Sequence, residues 1–417
     1  TYNDEGVKRT FTTYKKFLAI LKKQHPSGYV SIAYTENGKH LSKKMTVEQY
    51  AEESIGKNQA QIELVQDDSI YEFRVRAYRK VNGSFTKKLV FRAGIDAGFF
   101  AEFKYMVNAV VYCLQNKIQF CLYSRGANFG KGGWSEFFEP FCTEVEGDFN
   151  SRWNVHRLPP LGELRRRNPN IGTGGLLLWK LKTALRGSMY RLISWREYGR
   201  PALSTYDIPQ TPPAHCRIPE MGLDCTYDEA FRKVASMLWR LNAGVREQAH
   251  ELMRSISLPE HYASMQIRGG DKITEVSLLS PATFVAALRK ATGLKDILLL
   301  TDDYGLLESV RRDYPEYSWY SLCTPQERGY VNSAFTQTDA ETKHRRMVRF
   351  LAQVDAMLHG DAFVGSITVG PSLFVLQMLY PKGTPVDCDT KELPMAAHLA
   401  IKERGEIAER YLAKHAH

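Results

Sequence analysis

The run Met265-Gln266-Ile267-Arg268-Gly269-Gly270-Asp271-Lys272-Ile273-Thr274-Glu275 decides how the rest of the chain is read. It grows out of a short apolar stretch, Tyr262 to Ile267, which predicts a buried strand. The glycines that follow let the backbone turn sharply and approach a ligand closely. Beside them Arg268 offers a rigid fork of donors for phosphate, and Lys272 a compact ammonium. Glu275 adds a carboxylate that can take a proton from a hydroxyl. A cationic pair with one carboxylate suits a reaction in which a phosphate leaves and a hydroxyl attacks. A solvated loop with a surface ion pair would explain the same charges.

Downstream the chain alternates. Helices are expected from Ser280-Pro281 to Lys290, Tyr304 to Asp313, Thr342 to His359 and Pro371 to Leu379. Strands are expected at Asp296 to Leu300, Tyr317 to Leu322 and Ala362 to Val364. This order predicts a parallel sheet with helices on both faces, which binds ligands at the carboxyl ends of its strands. Three polar clusters fall there: Arg268 to Glu275, Thr301-Asp302-Asp303, and Gly365-Ser366-Ile367-Thr368. The other reading of Asp302-Asp303 is a helix N-cap before Tyr304.

Upstream, Leu89 to Ile95 reads as a strand, Asp96 to Glu102 as a loop, Phe103 to Gln115 as a helix and Ile118 to Tyr123 as a strand. That is the opening of a second Rossmann-like unit, with Gly98, the single glycine of its first loop, a candidate donor-binding position. Gly126 to Trp134 has the wrong spacing for a P-loop, and Gly132 follows Lys131 where Ser or Thr is needed, so it reads as a flexible loop. Residues 150 to 226 look irregular and Pro-rich around a helix at Leu176 to Ile193, and Tyr227 to Ser257 reads as one amphipathic helix. Residues 1 to 88 form a separate basic α+β region. In it a helix is expected at Phe11 to Gln24, strands at Tyr29 to Tyr34 and Tyr71 to Tyr78, and turns at Glu36-Asn37-Gly38 and Asn82-Gly83. The domain boundaries read as 1–88, 89–257, 258–395 and a C-terminal helix, 396–417.

The 417 residues are 43% hydrophobic and 24% charged, a globular composition. A net charge of +10 favours an anionic partner. Its basic residues are scattered without interleaved aromatics, which speaks against nucleic acid. Seven widely spaced cysteines argue against a disulfide framework. No zinc-ligand spacing occurs, and Asp302-Asp303 has no second carboxylate cluster beside it, so no metal site is expected. No run is long enough to span a bilayer, so membrane association is expected only through a segment missing from this chain. The start at Thr1 reads as a fragment or processed form. Asn82-Gly83-Ser84 matches a glycosylation acceptor, a triplet that chance often supplies.

Residues 227 to 380 resemble the GDP-fucose-dependent fucosyltransferases related to core α1,6-fucosyltransferase and the rhizobial nodulation fucosyltransferase. The likeness runs through Arg268-x-x-Asp271-Lys272, Thr301-Asp302-Asp303 before Leu306-Leu307, Tyr314-Pro315, and Asp361-Ala362-Phe363-Val364-Gly365-Ser366. Gly132-Gly133-Trp134 followed by Phe138-x-Pro140 resembles a stretch of the family's first domain. The resemblance implies a GT-B architecture, two Rossmann-like domains facing a cleft. It implies inverting, metal-independent transfer of fucose from GDP-fucose to a glycan hydroxyl, with no cofactor. By that likeness Arg268 holds the donor β-phosphate and Lys272 supports it, while Asp271, Asp302 and Asp303 orient the donor. The Ser366 to Thr368 loop cradles the diphosphate.

The chain also departs from the family. Gly269 follows Arg268 where the family often has a second arginine. Val276 stands at the family's glutamate, one place past Glu275. Gln353, with Asp355 nearby, stands at the acid that recognises guanine, and Thr368-Val369 replaces a Ser-Ser pair. Two other readings stay open: the same fold with another nucleotide sugar, and a lapsed carbohydrate- or nucleotide-binding protein. The cytoplasm and the secretory-pathway lumen are both compatible with the sequence.

Overall fold

The computed structural model describes residues 2–4, 7–9, 29–36, 39–46, 59–94, 97–154, 172–209, 212–269, 279–330, 334–335 and 337–415. The expected Phe11 to Gln24 helix lies outside them, as do Asp271, Lys272 and Glu275. Two compact units divide the chain, Thr1–Tyr78 and Arg79–His417.

In the first unit β1 (Tyr2–Asp4) pairs antiparallel with β2 (Val7–Arg9), and β3 (Tyr29–Glu36) with β4 (Lys39–Thr46). The expected strand at Tyr71 to Tyr78 is instead part of a helix, Gln59–Gly83. Tyr71, Phe73 and Val75 alternate, but Val75, Tyr78 and Asn82 also share one helical face. Those three are buried, whereas Phe73 is 53% exposed. The helical period won. Asn82 is no surface acceptor: its Nδ2 donates to the Phe120 carbonyl at 2.9 Å and its Oδ1 accepts from the Phe120 N–H at 2.7 Å.

The larger unit contains two parallel sheets. The first is built from β5 (Lys87–Arg92), β6 (Ile118–Tyr123), β7 (Thr143–Glu144) and β8 (Ala202–Ser204), in the order β7-β6-β5-β8. A separate ribbon, β9 (His215–Ile218) with β10 (Leu223–Thr226), follows. The second sheet is built from β11 (Ala263–Gln266), β12 (Asp296–Leu300), β13 (Ser318–Tyr320), β14 (Ala362–Gly365) and β15 (Thr384–Pro385), in the order β13-β12-β11-β14-β15. Every pairing in both is parallel. The central strands β5 and β11 each have a later strand on either side, because the chain winds out in one direction and then returns to the other flank. That reversal opens a crevice beyond the carboxyl end of the central strand.

Buried apolar runs make the sheets cohere. Leu89 to Phe91, Phe120 to Leu122 and Ile297 to Leu299 are fully enclosed, each side chain contributing about 1.5–3 kcal/mol. Gly365 ends β14 because nothing larger fits: a Cβ there would lie 1.9 Å from Ser372 Oγ. An aromatic cluster joins the layers around the two sheets. Phe100 stacks on Trp239 with centroids 5.7 Å apart and meets Phe374 at 5.1 Å.

Four expectations need correcting here. Residues Phe99 to Glu102 are not loop; the helix runs Phe99–Gln115 with Gly98 at its N-cap. The Tyr227 to Ser257 helix is two, Tyr227–Leu238 and Ala243–Ser255. Asn242 caps the second, accepting from the Val245 N–H at 2.9 Å, while its amide donates to Ser135 and Glu136. Leu241 stays buried through the break, so the apolar stripe hides it. The Gly126 to Trp134 segment is packed, with Phe129 and Trp134 both buried. Finally, the segment read as irregular holds a longer helix than expected, Thr173–Tyr198, besides β8, β9 and β10.

Candidate functional site

The carboxyl ends of β11 and β14 lie side by side, since these strands pair directly. At the β11 end Arg268 leaves the sheet half-buried. Its Nε lies 3.4 Å from Asp302 Oδ2, and its guanidinium sits 5.0 Å from the Tyr330 ring centroid. Two contacts on one planar group fix its direction better than either alone. Asp302 does more than pair with it: Oδ1 accepts the Gly269 N–H at 2.7 Å and Oδ2 the Tyr330 N–H at 2.9 Å. One carboxylate thus ties the β11 exit, the β12 exit and the 329–330 loop together.

Asp303 takes the other reading of the acidic pair. It caps the Tyr304–Asp313 helix, accepting from the Gly305 N–H at 2.9 Å. Gly269 is close against this pair, where a Cβ would stand 3.3 Å from Asp303 Cβ. The residue after Arg268 has little room for a second long cation.

At the β14 end, the Ser366 and Thr368 hydroxyls lie 2.7 Å apart and are turned inward. Ser366 Oγ donates to Asp387 Oδ2, and Asp387 Oδ1 accepts the Ile367 N–H at 2.9 Å. Asp387 is fully enclosed, and burial raises its carboxyl above the usual range, against the pull of Ser366 and the loop amides. The Gly370–Leu379 helix opens directly after this loop, so its positive dipole end faces the same edge.

The helix Ala340–His359 carries two further candidates. Gln353 is buried; its Nε2 donates to the Arg349 carbonyl at 3.3 Å. Its Oε1 has no partner among the described residues, and neither has Gln266 Oε1 at the end of β11. Asp355 instead accepts from Trp239 Nε1 at 3.0 Å, an anchor between layers. Arg349 pairs with Glu327 on the loop that also carries Tyr330.

From the first sheet, Gly98 is exposed at the head of the Phe99–Gln115 helix, with open space around its Cβ position. Two residues on, Phe100 packs on Gly370, where an added Cβ would lie 3.2 Å from Phe100 Cβ. Glu136, after the Gly126 to Trp134 segment, meets His344 at 2.8 Å. Elements of both sheets therefore meet near the β14 exit and the Ala340–His359 helix. Sequence reading missed Asp387, Tyr330 and Glu136–His344. None carried a usable local signal: Asp387 follows a strand of only two residues, β15, and Glu136 and His344 meet across 208 positions.

No protein-family model and no curated protein matches the chain. Among solved structures it is similar to NodZ alpha-1,6-fucosyltransferase co-crystallized with GDP, at 15% identity and TM-score 0.39, over 70% of this chain and 92% of that one. Fucosyltransferase NodZ from Bradyrhizobium gives 15% and 0.40, over 70% and 93%. POFUT1 in complex with GDP gives 11% and 0.40, over 72% and 97%.

Proposed function

We propose that this protein is a GT-B glycosyltransferase that moves fucose from GDP-fucose to a hydroxyl of a glycan. The observation that carries the reading is Arg268. It stands at the β11 exit on the β12 side, held by Asp302 and Tyr330. Departure of the nucleoside diphosphate builds negative charge on its terminal phosphate. A pre-oriented guanidinium answers that charge without reorganising, which is where electrostatic catalysis gains most. Asp302 is a positioning residue, since it sets the arginine and the Gly269 amide together.

The N-terminus of the Gly370–Leu379 helix faces the diphosphate, on a loop that Asp387 holds from beneath. Lys272 adds a second cation, Asp271 orients the donor, and Glu275 is the base that deprotonates the acceptor hydroxyl. Gln353, whose Oε1 is buried without a partner among the described residues, is the contact for the nucleotide base. Its amide oxygen can accept an N–H as a carboxylate would. The first sheet supplies the acceptor side of the cleft, with Gly98 at its nearest helix start. No divalent metal takes part.

The test is release of GDP from GDP-fucose, followed with and without glycan acceptors. Slow release that an acceptor accelerates, unchanged by EDTA, is the expected result. Release from UDP-sugars instead, or abolition by EDTA, contradicts it. Tight GDP-fucose binding with no turnover would mark a lapsed binder. For the base, Glu275→Gln is expected to lower the single-turnover rate by about 100-fold with donor affinity little changed. A normal rate at saturating substrates removes Glu275 from the mechanism.

A further inference from the structure

The Thr173–Tyr198 helix has an inner and an outer face of opposite kinds. Its inner face is anchored on the first sheet. Tyr190 is enclosed and donates to Asn150 at 3.0 Å, and Ser194 Oγ accepts the Ala202 N–H at 2.9 Å. The outer face is apolar. Leu178, Leu181, Leu185 and Leu192 are 52, 56, 55 and 57% exposed, with Trp195 at 59% and Met189 at 39%. At 100° per residue these six fall within one stripe on the side away from Tyr190 and Ser194.

Both edges of the stripe are basic. The same angular count puts Lys180 and Arg191 along one edge and Arg186 along the other, with Arg196 in line with Leu178 near the helix's carboxyl end, all exposed. Arg191 is shared with Asp207 at 2.7 Å; the others stand in solvent. The only carboxylate of this helix, Glu197, lies off the apolar residues on the Arg186 edge, eleven positions beyond Arg186.

We propose that this face lies on an anionic lipid surface. A convex apolar ridge with cations on both flanks meets a flat negative plane with every group satisfied: leucines and Trp195 in the acyl boundary, basic heads among the phosphates. A second copy of the same helix would set like charges against like along both edges, which disfavours a self-paired seam. The helix does not cross a bilayer; no helix among the described residues is long and apolar enough. The sequence reading placed any membrane contact in a segment missing from this chain. The exposed stripe moves it onto a folded element of the larger unit.

The test is sedimentation of the whole chain with phosphatidylcholine vesicles, with and without phosphatidylserine. The expected result is binding to the serine-lipid vesicles that is at least about tenfold stronger than to neutral ones and weakened by salt. Leu178→Asp with Leu185→Asp and Leu192→Asp should abolish it with unchanged thermal unfolding, because these side chains are already exposed. Lys180→Glu with Arg186→Glu and Arg196→Glu should lose the lipid selectivity. Absence of binding, or equal binding by the leucine variant, overturns the proposal. So does a dimer in sedimentation velocity that the leucine variant disperses, because the stripe would then be covered by a second copy.

Discussion

The two parallel sheets of the larger unit share a winding pattern but not the chemistry at their carboxyl edges. Beyond β5 the chain packs aromatic rings: Phe99 lies stacked on Phe138 at 5.7 Å, and Phe138 on Trp134 at 4.2 Å. Beyond β11 and β14 it places carboxylates that hold backbone amides, Asp302 on Gly269 and Tyr330, Asp387 on Ile367. Rings make a stiff wall. Carboxylates spent on the backbone make a charged loop keep its shape, and Asp302 holds Arg268 against Tyr330 as it does so. A shared winding pattern therefore carries unlike edges, stacked rings on one side and carboxylates bound to backbone amides on the other.

The comparison is broken most sharply at Arg268. Arg268→Ala is expected to stay folded and lose about 100- to 1000-fold in transfer rate, the usual effect of removing one donor from a charge-stabilising site. Activity within about threefold of wild type would mean that the second sheet's edge is no more functional than the first.

Next in size is Gly365→Ala. The added methyl must displace Ser372 at the start of the Gly370–Leu379 helix, costing about 1–3 kcal/mol. Chemical denaturation should show that loss, with nucleotide affinity falling alongside. Unchanged stability would show that the β14 exit tolerates the slack of the open Gly98 position.

A smaller effect separates positioning from charge. Asp302→Asn keeps one oxygen and gives up the ion pair, so the Gly269 and Tyr330 amides and Arg268 compete for the oxygen that remains. GDP affinity should fall by about tenfold, near the worth of one charge-assisted hydrogen bond. Transfer at saturating donor should fall less than in Arg268→Ala. Equal losses in both variants would make Asp302 a donor contact in its own right.

The smallest effect lies where the Phe99–Gln115 helix meets the C-terminal segment. Lys104 donates to the Ala397 carbonyl at 2.7 Å. Burial, with Arg404 nearby, brings its pKa down to about 7, against a weaker upward pull from Glu403. From there up to its ordinary value the unfolded chain holds a proton that the folded chain has released. Stability from this group therefore rises with pH above 7 and is lowest below it. The midpoint of thermal unfolding should climb by about a few degrees from pH 7 to pH 9 relative to Lys104→Met. A parallel pH course in the two proteins would place the lysine in solvent.

How far the sequence carries depends on how local the signal is. The second sheet's helices and strands were legible because each apolar run is bounded by its own punctuation. Asp296 to Leu300 and Tyr304 to Asp313 match to the residue, with Asp303 capping between them. Tyr71 to Tyr78 was not legible, since its aromatics fit both periods and only packing chooses. The break at Trp239 to Asn242 stayed hidden because Leu238 and Leu241 continue the apolar stripe. In the site, Arg268 and Asp302 could be found from strand ends alone. Asp387 could not, because β15 is two residues long. Nor could Glu136 and His344, which come together across 208 positions.

The measurement that bears most directly on the account is calorimetric titration of the wild-type chain and Arg268→Ala with GDP and UDP, without divalent metal. The account predicts that GDP binds wild type more tightly than UDP does, and that Arg268→Ala loses about tenfold or more of that affinity. Tighter UDP binding, or equal GDP binding by both proteins, would contradict it.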